Sequence, residues 1–406
     1  MKIYIRVYFY FLILTKVVLP LNKYLFKLTH FSLLQFFILF LRKFSFENQQ
    51  ICTLLKKFSL QNKKLPSYEQ AVQYLNSLNP DSQSSALKKQ ISEDDNSNYD
   101  LKIIVAAYNA ANTIEDCIES ILNQKTKYSL LIEVINDGST DATKQILEQY
   151  TNRSNVVITN QENQGFSGAR NTGLTKINAN YLCFVDSDDI LEDCFAEVLL
   201  NTAFTEQADI VAGGYQQFDN SGIIHEFNYQ DNNRFDPYKL YGYPWGKIYR
   251  AALFNKVIFP ENYWFEDTML SYLVYDQSHV VCTVKETVYR YRSNQNGITA
   301  FAPTKPKAID SLWVTQQLLL DRKNLKLAFN DEIYKVTLRQ TCTNFIRCRF
   351  LGNQVQKAVF VVQQQIINDY FKNFDLKDDS YLKMIEKAIR ADDYLTFVVY
   401  AYSNNY

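Results

Sequence analysis

From residue 101 onward, blocks of apolar residues alternate with polar ones in two distinct rhythms. LKIIVAA (101–107) is a short β-branched run with polar flanks and predicts a buried strand. LLIEVIN (130–136), NVVIT (155–159) and YLCFV (181–185) repeat that signature. Between the first two, Ile114, Ile118, Ile121 and Leu122 fall at helical spacing, with Asn112 and Glu115 placed as a capping box. A further helix is predicted at about 167–177, just ahead of the fourth strand. Alternation of this kind predicts a largely parallel sheet covered by helices on both faces. After about Thr304 the pattern becomes almost wholly helical, with amphipathic segments near 306–330 and 331–372.

The first 75 residues read differently. Residues 1–46 are rich in Phe, Leu, Ile and Tyr, but charges such as Arg6 and Lys16 interrupt them, and Phe31–Leu41 forms a second apolar stretch. Neither reaches the roughly 18–20 uninterrupted apolar residues of a membrane span. No small-residue cleavage site follows. A basic, aromatic helical segment lying in the membrane interface is the expectation, against a docked helix pair or a poorly ordered extension. Residues 76–99 are polar and without periodicity, which predicts a linker. The expected organisation is thus an N-terminal basic segment (1–75), a linker (76–99), an α/β catalytic domain (100–304) and a helical C-terminal region (305–406).

Charge sharpens this division. The net charge is zero, yet about 11 Lys/Arg and a single acid, Glu47, precede Pro66, so the remainder is acidic by about the same margin. An acidic body with no basic recognition motif argues against nucleic acid as partner. The seven cysteines are scattered with no Cys-x-x-Cys pair, and there are three histidines. That pattern fits reduced thiols in a cytoplasmic protein and disfavours a zinc site.

In an open α/β sheet, ligands bind beyond the carboxyl ends of the strands. Tyr108 and Asn109 follow the first strand, Asp137-Gly138-Ser139 the second, Asn163-Gln164-Gly165 the third and Asp186-Ser187-Asp188-Asp189 the fourth. Each cluster alone is an ordinary polar loop; four along one edge make a site. Three carboxylates within four residues repel one another unless a cation neutralises them, and Mg²⁺ or Mn²⁺ prefers such oxygens and bridges them to phosphates. The alternative is an N-cap, with Asp188 or Asp189 serving a helix that begins near Leu191. Arg170, early in the helix after Gly165-Phe166-Ser167-Gly168, offers a forked donor to a phosphate or a base, or else a solvated helix arginine. Glu266-Asp267 precede an apolar run and, in isolation, read as helix-dipole compensation.

Taken together, IVAAYNAANTIEDCIESIL, EVINDGSTDAT, NQGFSGARNTGL, YLCFVDSDD, WGKIYR and FEDTML resemble family 2 glycosyltransferases of the GT-A fold, the bacterial cell-surface polysaccharide type. They span roughly 101–292, in that family's order and spacing. The resemblance implies a nucleotide-diphospho-sugar transferase, metal-dependent through Mn²⁺ or Mg²⁺, working on a UDP-sugar donor and a glycan or lipid-linked acceptor at the inner face of the membrane. It implies that Tyr108 packs against the base, Asp137 accepts a hydrogen bond from it, and Arg170 contacts the nucleotide. Asp186 would meet the ribose or sugar side and, with Asp188, the metal. Asp267 of the Glu266-Asp267 pair would be the catalytic base. Trp245 and Lys247 would lie near the acceptor or support that base, and Trp245 is equally a core candidate. Ala106 stands where the family often has proline, Asn136 where aspartate is frequent, and Gly297 where serine is common.

Two competing readings remain. A nucleotidyltransferase would need a glycine-rich, basic loop after the first strand, and AAYNAANT supplies neither. A non-catalytic sugar-nucleotide-binding protein would tolerate decay of the acidic residues, and Asp186, Asp188, Glu266 and Asp267 are all present.

Overall fold

A computed structural model describes residues 38, 47–57, 64–88, 98–230, 234–294, 302–377 and 381–403. The apolar N-terminal stretches, apart from Ile38, and Gly297 lie outside the described residues. Contacts divide the chain into two compact units, one of residues 1–80, 298–312 and 337–406, the other of residues 81–297 and 313–336. The helical region expected at 305–406 is therefore shared between them. Among the described residues, no helix is long and apolar enough to cross a membrane.

The larger unit is built on a nine-stranded sheet: β1 (Tyr99–Ala107), β2 (Leu130–Asp137), β3 (Val156–Gln161), β4 (Ala179–Asp186), β5 (Ile190–Leu191), β6 (Ile210–Asp219), β7 (Gly222–Phe227), β8 (Lys247–Arg250) and β9 (Val281–Arg292). Their order is β3-β2-β1-β4-β8-β6-β9-β5, with β7 paired to β6. The first four strands of that order are parallel, as their β-branched runs predict. β8 then lies antiparallel to both β4 and β6, β9 runs parallel to β6, and β5 and β7 lie antiparallel to β9 and β6 respectively. The sheet is thus mixed beyond β4, where the apolar pattern carries no directional information.

Strand alternation sorts β1 onto two faces. Leu101, Ile103, Val105 and Ala107 join one buried cluster with Ile114, Cys117, Ile118 and Ile121 of helix Ile114–Leu122, and with Leu199, Leu200 and Ala203 of helix Phe195–Glu206. The opposite face receives helix Gly165–Gly173, whose last glycine lies so close to β1 that a Cβ there would stand 2.5 Å from Ile104 Cγ2. On this face Lys102 is buried. Its ammonium donates to the carbonyls of Gly173 (2.8 Å) and Lys176 (2.7 Å) and pairs with Glu133 at 2.5 Å. A lysine on a central strand is tolerable because every donor has an acceptor.

Several local expectations change. Helix Ile114–Leu122 starts from Thr113 with no side-chain cap bond; the Thr113 hydroxyl donates to Ser187 O at 3.0 Å, so Asn112 and Glu115 do not form the box. Part of the expected linker is ordered. Ala86 is buried with its N–H on Asp321 Oδ2 at 2.7 Å, Leu87 bridges to Val257, and Tyr263 donates its hydroxyl to Asp81. These partners lie far along the chain, which is why composition alone reads the segment as unstructured.

In the other unit, helix Tyr68–Leu78 carries a complete capping box from Ser67 and Gln70 and packs along helix Asn353–Phe371. The single amphipathic run expected at 331–372 is two helices, Asp331–Arg347 and Asn353–Phe371, because Gly352 adopts φ +94° between them. Phe345, Phe360, Tyr394 and Phe397 close this unit's core edge-on or tilted, at centroid distances of 5.0–6.1 Å.

Gly173→Ala forces a methyl into Ile104 on a central, fully packed strand. It is expected to cost about 1–3 kcal/mol of unfolding free energy, read as a lower urea midpoint at unchanged slope. An unchanged midpoint would show that helix and strand have slack between them.

Candidate active site

The site is assembled at the carboxyl edge of β1, β2 and β4, within the larger unit. The loops there are stitched to one another. Asn109, at φ +50°, accepts from Thr140 N (2.8 Å) and its own N–H meets Ser139 Oγ at 3.0 Å; Ala110 N donates to Thr143 Oγ1 at 2.8 Å. This leaves the Tyr108 ring 51% exposed at the end of β1. Gly138, at φ +72°, has no room for a side chain, since a Cβ would stand 2.8 Å from Asn163 N. Asn136 accepts from Ser139 N at 3.2 Å and donates to Asn160 at 2.7 Å, so it holds the turn.

Asp137 is buried. Its Oδ1 accepts from Gln164 N (2.8 Å) and Gln161 Nε2 (2.7 Å), and its carbonyl accepts from Asn163 at 2.9 Å. One carboxylate oxygen is thus spent on closing the β2 and β3 loops. Arg170 departs further from expectation. Its guanidinium is buried between two carboxylates, with Nη2 on Asp186 Oδ1 at 2.8 Å and Nη1 on Glu266 Oε1, and the rings of Phe259 and Phe166 lie at 5.4 and 5.8 Å. It is not a solvated helix arginine; it joins the β4 loop to the Glu266-Asp267 turn. Burial works against its charge, but Asp186 and Glu266 outweigh that and hold it above its ordinary range.

The acidic loop separates three roles. Asp189 is fully buried and takes the Tyr289 hydroxyl and the Arg292 N–H, each at 2.7 Å. The following helix begins at Phe195 with Cys194 at its cap and no side-chain cap bond, so neither Asp188 nor Asp189 is an N-cap. Asp188 is half-buried; burial, with the charge of Asp186 beside it, lifts its carboxyl above the usual range. Among the described residues, no group of three or more His, Cys, Asp or Glu is placed to hold a metal by itself. Asp186 and Asp188 are both half-buried, Asp186 with Oδ1 on Arg170.

Glu266 and Asp267 lie on a short 3₁₀ turn entered through Phe265, at φ +67°, and followed by a π-helical turn, Leu270–Val274. A left-handed aromatic residue and a π turn in succession are costly features that concentrate at functional sites. Glu266 is buried against Arg170, whereas Asp267 is half-buried. Burial pushes the Glu266 carboxyl up to about 7; Arg170 opposes this shift and Asp267 adds to it.

Lys247 is fully buried, donates to Tyr243 O at 2.6 Å and stands 3.3 Å from the Tyr241 ring centroid. Burial draws its ammonium well below the ordinary range, countered by the charge of Asp267. Trp245 is core, 2% exposed, and stacks with Tyr289. Tyr289 and Arg292, which shape the acidic loop, were not identified from sequence; the alternation in VYRYR, with tyrosines at every second strand position, is the signal that points to them.

Residues 102–259 match the family described as glycosyl transferase family 2. The glycosyltransferase GlyA of Streptococcus pneumoniae serotype 4 is 34% identical over 218 residues, 49% of this chain and 31% of GlyA. EpsH of Bacillus subtilis, also named a glycosyltransferase, is 31% identical over 49% of this chain and 62% of its own length. The chain therefore spans less than two thirds of either relative. The fold matches the crystal structure of S. aureus TarS 1–349 in complex with UDP-GlcNAc at a TM-score of 0.59, with 19% identity over 75% of this chain and 91% of that one.

Because the folded-state value of Glu266, about 7, lies above its ordinary 4.5, the fold holds an extra proton between the two. The associated stability is full below about 4.5 and is lost as pH rises through about 7. Urea midpoints should fall between about pH 5 and about pH 8, and Glu266→Gln should flatten that slope. An equal slope in the variant would assign the titration elsewhere.

Proposed function

We propose, for a chain whose residues 102–259 match glycosyl transferase family 2, that it transfers a sugar from a nucleotide diphosphate to an acceptor hydroxyl with inversion. A UDP-sugar is the proposed donor, and a glycan or lipid-linked glycan of the cell surface the proposed acceptor. The observation that carries this reading is the Arg170 bridge, which brings the donor-side carboxylate Asp186 and the Glu266-Asp267 turn onto one guanidinium. The names of the relatives and the UDP-GlcNAc bound to the TarS structure support the same reaction class.

In this mechanism the exposed Tyr108 ring stacks on the base and Asp137 accepts from it through its second oxygen. Asp186 and Asp188 would hold Mn²⁺ or Mg²⁺. Two half-buried carboxylates, one of them lifted by burial and by the charge of the other, would suit a hard cation that also takes diphosphate oxygens. When bound, such a cation neutralises the departing diphosphate. Asp267 receives the proton of the acceptor hydroxyl while that oxygen attacks the anomeric carbon opposite the leaving group. The new C–O bond forms as the bond to the diphosphate breaks, and the electron pair leaves with the nucleotide. Glu266, buried on Arg170, orients the turn and does not face the acceptor. Burial disfavours the charge of Lys247, and Asp267 is the group that opposes this, so the lysine supports the turn through its bond to the Tyr243 carbonyl.

Asp267→Asn should cut turnover by about 10²–10⁴-fold while calorimetry finds donor affinity near wild type; transfer at the native rate would remove Asp267 from the role of base. Asp188→Ala should weaken donor binding and abolish its response to Mn²⁺. Equal donor affinity of the native protein with Mn²⁺ and with chelator would refute the metal assignment.

A further inference from the structure

From Phe259 to Phe265 the chain that leads into the Glu266-Asp267 turn belongs to no helix or strand. Pro260 has no N–H to give to a ladder. Asn262 adopts φ +66° and Phe265 φ +67°, so two residues with side chains stand in the left-handed region just ahead of the turn. Conformations of this kind persist only where the surroundings over-determine them.

One side chain supplies that constraint where the segment begins. Asn171 Nδ2 donates to the Phe259 carbonyl at 2.8 Å and to Glu261 Oε1 at 3.0 Å, and the Phe259 N–H donates to Asn171 Oδ1 at 2.8 Å. The carboxamide thus serves both backbone groups of Phe259, as a neighbouring strand would. Asn171 is 8% exposed, so these bonds are made out of water, where losing one leaves a polar group unmatched. The Glu261 backbone is fixed as well, its N–H on Ser84 Oγ at 3.0 Å and its carbonyl taking the Ser82 hydroxyl at 3.3 Å.

Asn171 follows Arg170 directly on helix Gly165–Gly173. Consecutive side chains of one helix therefore hold the two ends of the segment, Asn171 at Phe259 and Glu261 and Arg170 at Glu266. The Phe259 ring lies 5.4 Å from the Arg170 guanidinium, which packs the two anchors on each other.

We infer that Asn171 is a positioning residue for the transfer step: its bracket on Phe259 and Glu261 sets where the turn presents Asp267 to the acceptor. It acts through the backbone of residues 259–267 and not on the donor. The side-chain type is dictated by the task. Aspartate lacks the donor and would face Glu261 with like charge, and leucine offers neither bond. The inference rests on the proposed role of Asp267 as the base.

The test compares Asn171→Ala, Asn171→Asp and the double variant Asn171→Asp/Glu261→Gln in the full chain. In Asn171→Ala, hydrogen exchange should quicken about tenfold in peptides covering residues 259–268, while β1 stays as protected as in the native protein. UDP release from UDP-glucose, UDP-galactose and UDP-N-acetylglucosamine with Mn²⁺ is followed alongside, water standing in for the acceptor. Its kcat should fall by about ten- to a hundredfold at unchanged donor KM and unchanged calorimetric affinity for UDP. Asn171→Asp should share the loss. Glu261→Gln on that background should recover part of it, because the amide introduced at 261 donates to the carboxylate introduced at 171. Native exchange over 259–268 in Asn171→Ala, faster exchange across β1 in step with it, native kcat in a variant whose segment is loosened, a donor KM that rises with the loss, or no recovery in the double variant would each overturn the positioning role. Exchange that quickens as expected, in a chain whose native form releases UDP from none of the three donors, would instead leave the bracket standing and overturn the transferase reading.

Discussion

One buried guanidinium organises the candidate site. Arg170 is the shared partner of Asp186, sixteen residues away, and of Glu266, ninety-six residues away. A cation buried this deeply is tolerable only while both carboxylates face it, since stripping one partner from a buried ion pair costs about 3–5 kcal/mol. The two loops are therefore not free to drift apart. The costly backbone around Glu266, with a left-handed Phe265 on one side and a π turn on the other, is held in part by this contact.

That arrangement also divides labour among acidic residues that look interchangeable in the chain. Of the Glu266-Asp267 pair, one is sealed on Arg170 and the other is left half-buried. Of Asp186, Asp188 and Asp189, the last is withdrawn completely by the Tyr289 hydroxyl and the Arg292 N–H. Environment, not residue type, separates sealed from partly exposed carboxylates here.

The hydrophobic pattern made the four parallel strands and their loop-borne polar residues legible, because strand period and turn chemistry are local. The strand ends shift by one or two residues, and the sheet, edge and helix faces follow from the alternation. What was not legible depends on distant partners. The bridge that Arg170 makes depends on Glu266, ninety-six residues along the chain. The stretch around Ala86 reads as a tether until Asp321 supplies its acceptor. The antiparallel insertion of β8 leaves no mark on the apolar pattern, since a buried strand has the same composition in either direction.

β9 serves two ends at once. The same twelve residues contribute Tyr289 and Arg292 to the acidic loop and Tyr289 and Tyr291 to an aromatic row stacked on Trp245. The acidic loop and the aromatic row therefore share one piece of backbone and are not separable modules. Recombination among relatives that exchanges the YGYPW loop alone would seat foreign rings against a native β9 and strain the acidic loop through Tyr289. A chimera's crossover points belong outside β8 and β9, so that loop and strand are inherited together.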